Sequence, residues 1–292
     1  MKVYFRELNK SDIPAIKEIS KDIWEGEDYI PDVIERWLQE ENCMNYGGFL
    51  DENKKEMVGL GRIKFFPNGV AWLEGGRVKM MHQKKGIGRE LLGYAIEYAQ
   101  KRGSKIAQYD TSSRNFGSIA LANYYGFKMK KSMEYIECKS EDLKIPEEHF
   151  SDIKKISIEE AKAMYDKIDI GPGDEVCIGW SYVPVANLDD KGSSWYLKSN
   201  AILQKKELIS QDVHEKPKTN EVWMITYGDP NQCRDLIKYT ILNEIKDKKI
   251  DCCVVFCTPE VVEVIKEFGF SCPDWETGEN DPFSVVLFEK YY

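Results

Sequence analysis

The segment that decides the fold is VKMMHQKKGIGR, residues 78–89. An alternating strand pattern, Val70–Met80, leads into it, and an amphipathic helix pattern, Arg89–Arg102, follows it at once. Gly86 and Gly88 allow the main chain to turn tightly and to approach a ligand without a side-chain clash. The loop amides and the helix N-terminus then converge on one point, which suits a phosphate group. We therefore predict a strand–loop–helix unit with an anion site in the loop.

Basic side chains surround this loop. Residues 77–105 contain eight of them and only two glutamates; the basic residues are Arg77, Lys79, Lys84, Lys85, Arg89, Lys101, Arg102 and Lys105. A positive region in an acidic chain favours a small anionic ligand, although a solvated helix face would have the same composition. The loop lacks the lysine and hydroxyl of a Walker motif and the third glycine of the dinucleotide fingerprint. An ordinary strand–helix turn is the alternative to an anion site.

The composition bounds the class of protein. The chain has 292 residues, which at roughly 150 residues per domain predicts two domains. Hydrophobic residues make up 42% and the formal net charge is −9, so a packed core is possible and a nucleic-acid partner is not expected. We find no apolar run of membrane-helix length and no signal sequence, and we expect no membrane partner. Eight cysteines without regular spacing indicate a reduced, cytoplasmic protein, and three scattered histidines predict no metal site.

The pattern on either side of the loop predicts an α/β fold with a mixed sheet covered by helices. The predicted strands of the first half are Val3–Leu8, Tyr46–Leu50, Glu56–Phe66, Val70–Met80, Lys105–Thr111 and Phe127–Cys138. The predicted helices are one that Ser11 caps and that runs to about Ile19, then Pro31–Asn42, Arg89–Arg102 and Phe116–Tyr125. Polar residues 139–150 follow and are typical of a linker.

The second half repeats the order of the first. It predicts strand Glu221–Tyr227, helix Cys233–Lys246, strand Asp251–Cys257 and helix Pro259–Phe268, and it ends in Gly-Phe as the first half does. Residues 227–232 stand where the loop should be, and an aspartate and a proline there disfavour a phosphate. We predict a degenerate copy that binds no cofactor of its own. Its aromatic residues Trp180, Tyr182 and Trp195 either line an acceptor pocket or form a plain core.

Three separated elements carry a resemblance to a known family. The Gln83-x-x-Gly86-x-Gly88 loop, Asn115 and the Gly126-Phe127 pair follow each other as in the GCN5-related N-acetyltransferase (GNAT) family, which residues 1–138 resemble. The resemblance implies a GNAT fold in tandem with a second, degenerate GNAT-like domain, and it implies acetyl-CoA or another acyl-CoA as cosubstrate, with no metal. It places the pyrophosphate on residues 83–89 and the pantetheine arm along the strand edge at Arg77 and Val78. The implied cofactor-binding residues are Arg77, Val78, Gln83, Lys84, Lys85, Gly86, Ile87, Gly88, Arg89 and Asn115.

Two carboxylates are candidate catalytic bases. Acyl transfer to an amine needs an unprotonated nucleophile, and a carboxylate can accept its proton. Asp110 ends the strand before Asn115, where some members of the family carry a glutamate base, and Glu74 lies on the strand that feeds the loop. The alternative for each is a salt bridge, Glu74 with Arg77 or Asp110 with Arg114.

The proton donor for the departing thiolate is not assigned by the sequence. Family members with a tyrosine acid place it four residues before the glycine of Gly-Phe, and that position is Ala122 here. Tyr124 and Tyr125 point in other directions on a helix, so we predict that they are packing residues. Tyr109 or a water molecule is left as the donor.

These observations predict an acyl-CoA-dependent N-acyltransferase with a catalytic domain at residues 1–139 and a degenerate domain at 150–292. The expected reaction is direct attack of a primary amine of a small molecule, such as an amino acid, on the thioester. The run WLEGGRV, residues 72–78, and a later Trp-Ser-Tyr resemble the histidine N-acetyltransferase group. The alternatives are an acyl-CoA-binding sensor without turnover, and an acetyltransferase of proteins or peptides. The acceptor, the acyl length and the oligomeric state stay open.

Overall fold

The computed structural model describes residues 2–168, 171–189, 192–209, 220–246, 248–272 and 282–292. It divides into two compact units. The first unit comprises residues 1–110, 115–130 and 287–292, and the second comprises residues 111–114 and 131–286. The first unit thus includes the end of the chain. The predicted functional domains, 1–139 and 150–292, follow chain order and stay a prediction.

The predicted order of strands and helices in the first half is confirmed. The elements are β1 Tyr4–Glu7, α1 Ile13–Ser20, α2 Ile30–Trp37, β2 Cys43–Phe49, β3 Met57–Phe65, β4 Val70–Val78, α3 Ile87–Lys101, β5 Ile106–Ser112, α4 Phe116–Tyr124 and β6 Lys128–Lys139. Neighbouring strands pair antiparallel from β1 to β4, and β4 pairs parallel with β5. The predicted mixed sheet is therefore confirmed.

Two predicted helix boundaries are wrong. The first helical segment begins with a 3-10 turn, Lys10–Asp12, which Asn9 caps: its side chain accepts from the Ser11 amide at 2.9 Å. Ser11 lies inside that turn and is not the cap, because the capping oxygen must come from the residue before the first turn. The helix α2 ends at Trp37, well before Asn42, and the chain then turns at Asn42 with φ +55° and enters β2.

The strand β4 is irregular at the point where the site forms. The pairing of β3 with β4 shifts register between Leu60, opposite Arg77, and Arg62, opposite Glu74. This β-bulge contains Gly75 with φ +65°, and a Cβ atom there would lie 2.8 Å from the Trp37 ring. A glycine is required at Gly75 both by the backbone angle and by the close approach of this ring.

The second unit contains the predicted strand–helix–strand–helix order and further strands before it. The elements are β7 Lys154–Ile156, α5 Ile158–Tyr165, β8 Glu175–Cys177, β9 Tyr182–Pro184, β10 Ser193–Lys198, β11 Ala201–Ile209, β12 Asn220–Gly228, α6 Pro230–Tyr239, β13 Cys252–Cys257, α7 Pro259–Ile265 and β14 Phe283–Tyr291, whose last residues belong to the first unit. The parallel pair β12–β13 repeats the parallel pair β4–β5. A π-helix, Thr240–Ile245, continues α6.

Two classes of site can be checked directly in the part of the chain that the structure describes. No helix there is long and apolar enough to cross a membrane. No group of three or more histidine, cysteine, aspartate or glutamate side chains there is arranged to hold a metal ion.

Candidate active site

The strands β4 and β5 separate at the centre of the first unit. Their ladder runs from Val70 opposite Ile106 to Trp72 opposite Gln108, while β4 continues to Val78. The amide of Lys79 donates to Val58 of β3 at 2.9 Å. In a trans peptide the carbonyl points opposite to the next amide, so the Val78 carbonyl points away from β3. A length of β4 edge therefore faces an opening that β5 does not fill, and an extended ligand with amide groups could pair there.

The loop after β4 is shaped by two residues in the left-handed region. Lys84 has φ +59° and Gly86, which precedes the first residue of α3, has φ +85°. The amides of Arg89 and Glu90 are the first to donate back along the helix, both to the Gly86 carbonyl. The amides of Ile87 and Gly88 precede them and have no partner within the helix. Together with the dipole of α3 they form the predicted arrangement for an anion.

The predicted side chains around the loop take different roles. Lys84, Lys85 and Arg89 are exposed, which leaves their charges accessible to a ligand. The Gln83 amide group is turned toward the opening and donates to the Val78 carbonyl at 3.3 Å. The Ile87 side chain is buried in the core, so only the main chain of this residue can contact a ligand.

Asn115 caps α4. Its Oδ1 accepts from the Ser118 amide at 3.1 Å, and the residue is exposed. The cap uses the oxygen of the side chain, whereas a ligand carbonyl would be bound through the two donors of its Nδ2. The cap and the predicted contact with pantetheine are therefore compatible.

We expect Asn115→Ser to separate these two roles. Serine is also a good N-cap, so α4 should keep its stability, but the amide donors are lost. The KM for acetyl-CoA should rise about threefold to tenfold, as expected for one lost hydrogen bond. Asn115→Ala should show the same rise and should also lower the free energy of unfolding by about 1 kcal/mol. Steady-state kinetics and urea unfolding measure the two effects. An unchanged KM in Asn115→Ser would show that Asn115 caps the helix and does not bind acetyl-CoA.

Glu74 lies directly before the bulge and faces a buried arginine. Its Oε1 is 3.3 Å from Nε of Arg62, and a quarter of its side chain is exposed. Burial raises the pKa of Glu74 above its usual value, although Arg62 opposes this shift. The predicted alternative, a salt bridge between Glu74 and Arg77, is wrong, because the bulge separates the two side chains and each has another partner.

Arg77 is held by residues that precede α2. Its Nε and Nη2 donate to the Asp28 carboxylate at 3.1 and 2.9 Å, and its guanidinium lies 4.3 Å from the centre of the Trp24 ring and 5.3 Å from that of Tyr29. The side chain of Arg77 is thus bound within the protein. Its predicted contribution to a cosubstrate site is limited to the main chain.

Tyr29 is a residue of this site that sequence reasoning missed. Burial raises the pKa of its hydroxyl; Arg77 opposes the shift, and Glu74, Asp110 and Asp28 add to it. Both candidate bases, one on β4 and one on β5, are therefore within electrostatic reach of the same ring. Asp110 itself is half-buried at the end of the first unit's part of β5. The sequence feature that could have indicated this residue is an aromatic pair, Trp24 and Tyr29, in an acidic segment.

The model of the acetyltransferase (GNAT) family matches residues 13–127. This part of the chain belongs to the GNAT family. The match covers the opening, the loop and both candidate bases, and the resemblance predicted from the three motif elements is confirmed. Acetyl-CoA is the cosubstrate of GNAT enzymes, and the edge of β4 with the amides of α3 fits its amide-bearing arm and its diphosphate.

Solved structures are similar to the chain over almost its whole length. A Pyrococcus horikoshii protein provisionally described as an acetyltransferase is 16% identical, with a TM-score of 0.59 over 99% of this chain and 89% of that one. A Thermoplasma acidophilum protein described in the same way is 15% identical, with a TM-score of 0.57 over 99% and 100% of the two chains. These similarities establish the fold. No curated protein matches the sequence.

Tyr109 and Tyr125 of the first unit already donate hydrogen bonds within the protein. Ala122 is buried, so the usual acid position of the family is part of the core. The Tyr109 hydroxyl donates to the Ser118 carbonyl at 2.9 Å, and burial raises its pKa to about 12. Tyr125 donates to the Arg89 carbonyl and packs as predicted, whereas the predicted packing of Tyr124 is wrong, because that ring is exposed beside Arg89.

The second unit closes the equivalent of the GNAT loop. The Asp229 carboxylate accepts from the Gln232 amide at 3.0 Å and so occupies the N-terminus of α6. Gly228, with φ +121°, lies so close to Asn200 that a Cβ would be 2.1 Å from its carbonyl oxygen. These contacts support the prediction that this half binds no cofactor of its own. Tyr182 and Trp195 are buried, which confirms the core alternative for them, and Trp180 is partly exposed against Phe283.

Proposed function

We propose that the GNAT unit transfers the acetyl group of acetyl-CoA to the primary amine of a small molecule, such as an amino acid. One observation carries the proposal. The β4–β5 ladder ends at Trp72 and Gln108, which leaves the edge of β4 open up to the loop that leads into α3, and Glu74 lies on that part of β4. This arrangement supports a site in which donor binding and proton transfer use neighbouring parts of β4 and of the loop that follows it.

The residues of the opening suit a direct transfer. The amine nitrogen forms a bond to the thioester carbonyl carbon, and the carbon–sulfur bond breaks. The proton of the attacking amine passes to a carboxylate, directly or through one water molecule. The departing thiolate takes its proton from water. None of these steps requires a covalent bond to the protein.

We assign the base to Glu74 in preference to Asp110. Burial raises the pKa of Glu74 toward the pH at which a base works best, and the side chain is partly exposed next to the free edge of β4. Trp24 and Tyr29, with 57% and 42% of their surface exposed, present apolar rings to an acceptor beside the same opening. Asp110 is the second candidate.

The test is release of free thiol from acetyl-CoA over a panel of amino acids, polyamines and short peptides. We expect turnover with at least one small amine and little or none with peptides, with mass spectrometry of the acetylated product as a second readout. Turnover with peptides alone would replace the small-molecule acceptor with a protein. Acetyl-CoA binding by calorimetry without any turnover would support the sensor, and absence of binding would overturn the proposal.

A further inference from the structure

A buried arginine of the first unit connects the proposed base to a second carboxylate. Arg62 on β3 is only 2% exposed. Its Nε lies 3.3 Å from the Glu74 carboxylate, and its Nη2 donates to Glu40 and to the sulfur of Cys43. Its guanidinium lies 4.5 Å from the centre of the Trp37 ring. A charge this well buried is costly unless its partners hold it.

We propose that Arg62 is a positioning residue that fixes the Glu74 carboxylate at the mouth of the opening between β4 and β5. This inference rests on the proposed function, because it takes Glu74 as the base. Arg62 and Glu74 are direct register partners across β3 and β4, at the edge of the bulge. The contact therefore links the position of the base to the irregularity that opens the sheet.

The guanidinium is fixed on several sides. Arginine presents its donors in a rigid plane, so the hydrogen bonds of Nη2 to Glu40 and Cys43 fix the position of the whole guanidinium beside Glu74. The Trp37 ring supports the flat face of the guanidinium and also touches Gly75 of the bulge. One aromatic side chain thus holds both the arginine and the backbone turn that follows Glu74.

The two carboxylates beside Arg62, Glu40 and Glu74, have pKa values that are shifted in opposite directions. Burial raises the pKa of Glu40, but the hydrogen bond and charge of Arg62 outweigh it, so the pKa of Glu40 is lowered. At Glu74 burial prevails and the pKa is raised. The groups that act on Glu74 are Arg62 and Lys64 on β3, Glu40 after α2, the side chain of Trp72 on β4, and Tyr29, whose own pKa Glu74 raises. One carboxylate anchors the arginine and the other is left able to exchange a proton.

The test compares Arg62→Gln, Arg62→Lys and Glu40→Gln by NMR titration of the Glu74 carboxyl carbon and by the pH profile of kcat/KM. Loss of the nearby positive charge should raise the pKa of Glu74 by about one unit or more in Arg62→Gln. The acid limb of the profile should move up with it, so activity on that limb falls about tenfold. Arg62→Lys keeps the charge and should recover part of the shift. Glu40→Gln removes a negative charge, so it should move the pKa down.

A merely structural Arg62 would give a different pattern. All three variants would then unfold at lower urea concentration while the titration of Glu74 stayed in place, and this result would overturn the inference. In a Glu74→Gln background, Arg62→Gln should cause no further loss of kcat, because the arginine acts through that carboxylate. If Glu74→Gln alone left thiol release unchanged, the base assignment would fail. A different result would overturn only the role of Arg62: Glu74→Gln would lose activity, but the pH profile of the Arg62 variants would stay unchanged.

Discussion

Replacement of Glu74 by Gln is expected to lower kcat for acetyl transfer by about 10²–10⁴-fold, the usual contribution of a positioned general base. The substitution keeps the size of the side chain and removes its ability to accept a proton. The KM for acetyl-CoA should change little, since the donor is bound by the loop and the strand edge. Thiol release with the acceptor found in the amine panel measures both constants.

Asp110→Asn is the matched control for this prediction. Asp110 also acts on Tyr29, but it lies on β5, whereas Glu74 lies on β4 and faces the buried Arg62. We expect a loss below tenfold, as for a charge that contributes only to the field around the acceptor. A full loss in Asp110→Asn with an active Glu74→Gln enzyme would reverse the assignment. The pH profile gives a further check. An enzyme whose base has a raised pKa loses activity as the pH falls through that pKa, so we assign the acid limb of the profile to Glu74.

Replacement of Gly86 by Val is expected to abolish detectable binding of acetyl-CoA. Gly86 has φ +85°, a backbone angle that costs a branched residue on the order of 1–3 kcal/mol. The loop can relieve this strain only by giving up the turn that directs the α3 amides to one point. Isothermal titration calorimetry with acetyl-CoA and with CoA measures the loss.

Gly88→Ala tests the same loop without strain. Gly88 has no positive φ, and a Cβ atom there would lie 3.6 Å from Leu121 and 3.8 Å from Val78, which are ordinary contacts. The variant should fold as well as the wild type. The GNAT loop pattern has glycine or alanine at this position, so the affinity for acetyl-CoA should change little. A loss in Gly88→Ala as large as that in Gly86→Val would show that the loss does not depend on the positive φ of Gly86.

Other features of the site could not be predicted because they depend on register. The partner of Glu74 is Arg62 and not Arg77, although Arg77 is closer in sequence. A shift of one residue in a strand moves a side chain to the other face of the sheet. The bulge at Gly75 makes such a shift, and the Trp37 ring of α2, which is distant in the sequence, packs against it. In the sequence, Trp37 is one of several apolar positions of an amphipathic helix, and nothing there indicates its contacts with Arg62 and Gly75.

The sequence by itself determined the strand–loop–helix unit of residues 78–89, the family and the donor. These features depend on neighbours in the chain: glycines that accept positive φ, a helix period that begins after them, and an asparagine at a helix start. The tertiary structure alone decided that the buried Arg62 faces Glu74, that the charges of both candidate bases act on Tyr29, and that residues 287–292 complete the first unit. The reason is physical: local backbone preferences act within a few residues, whereas burial and pairing depend on segments that meet only in the folded chain.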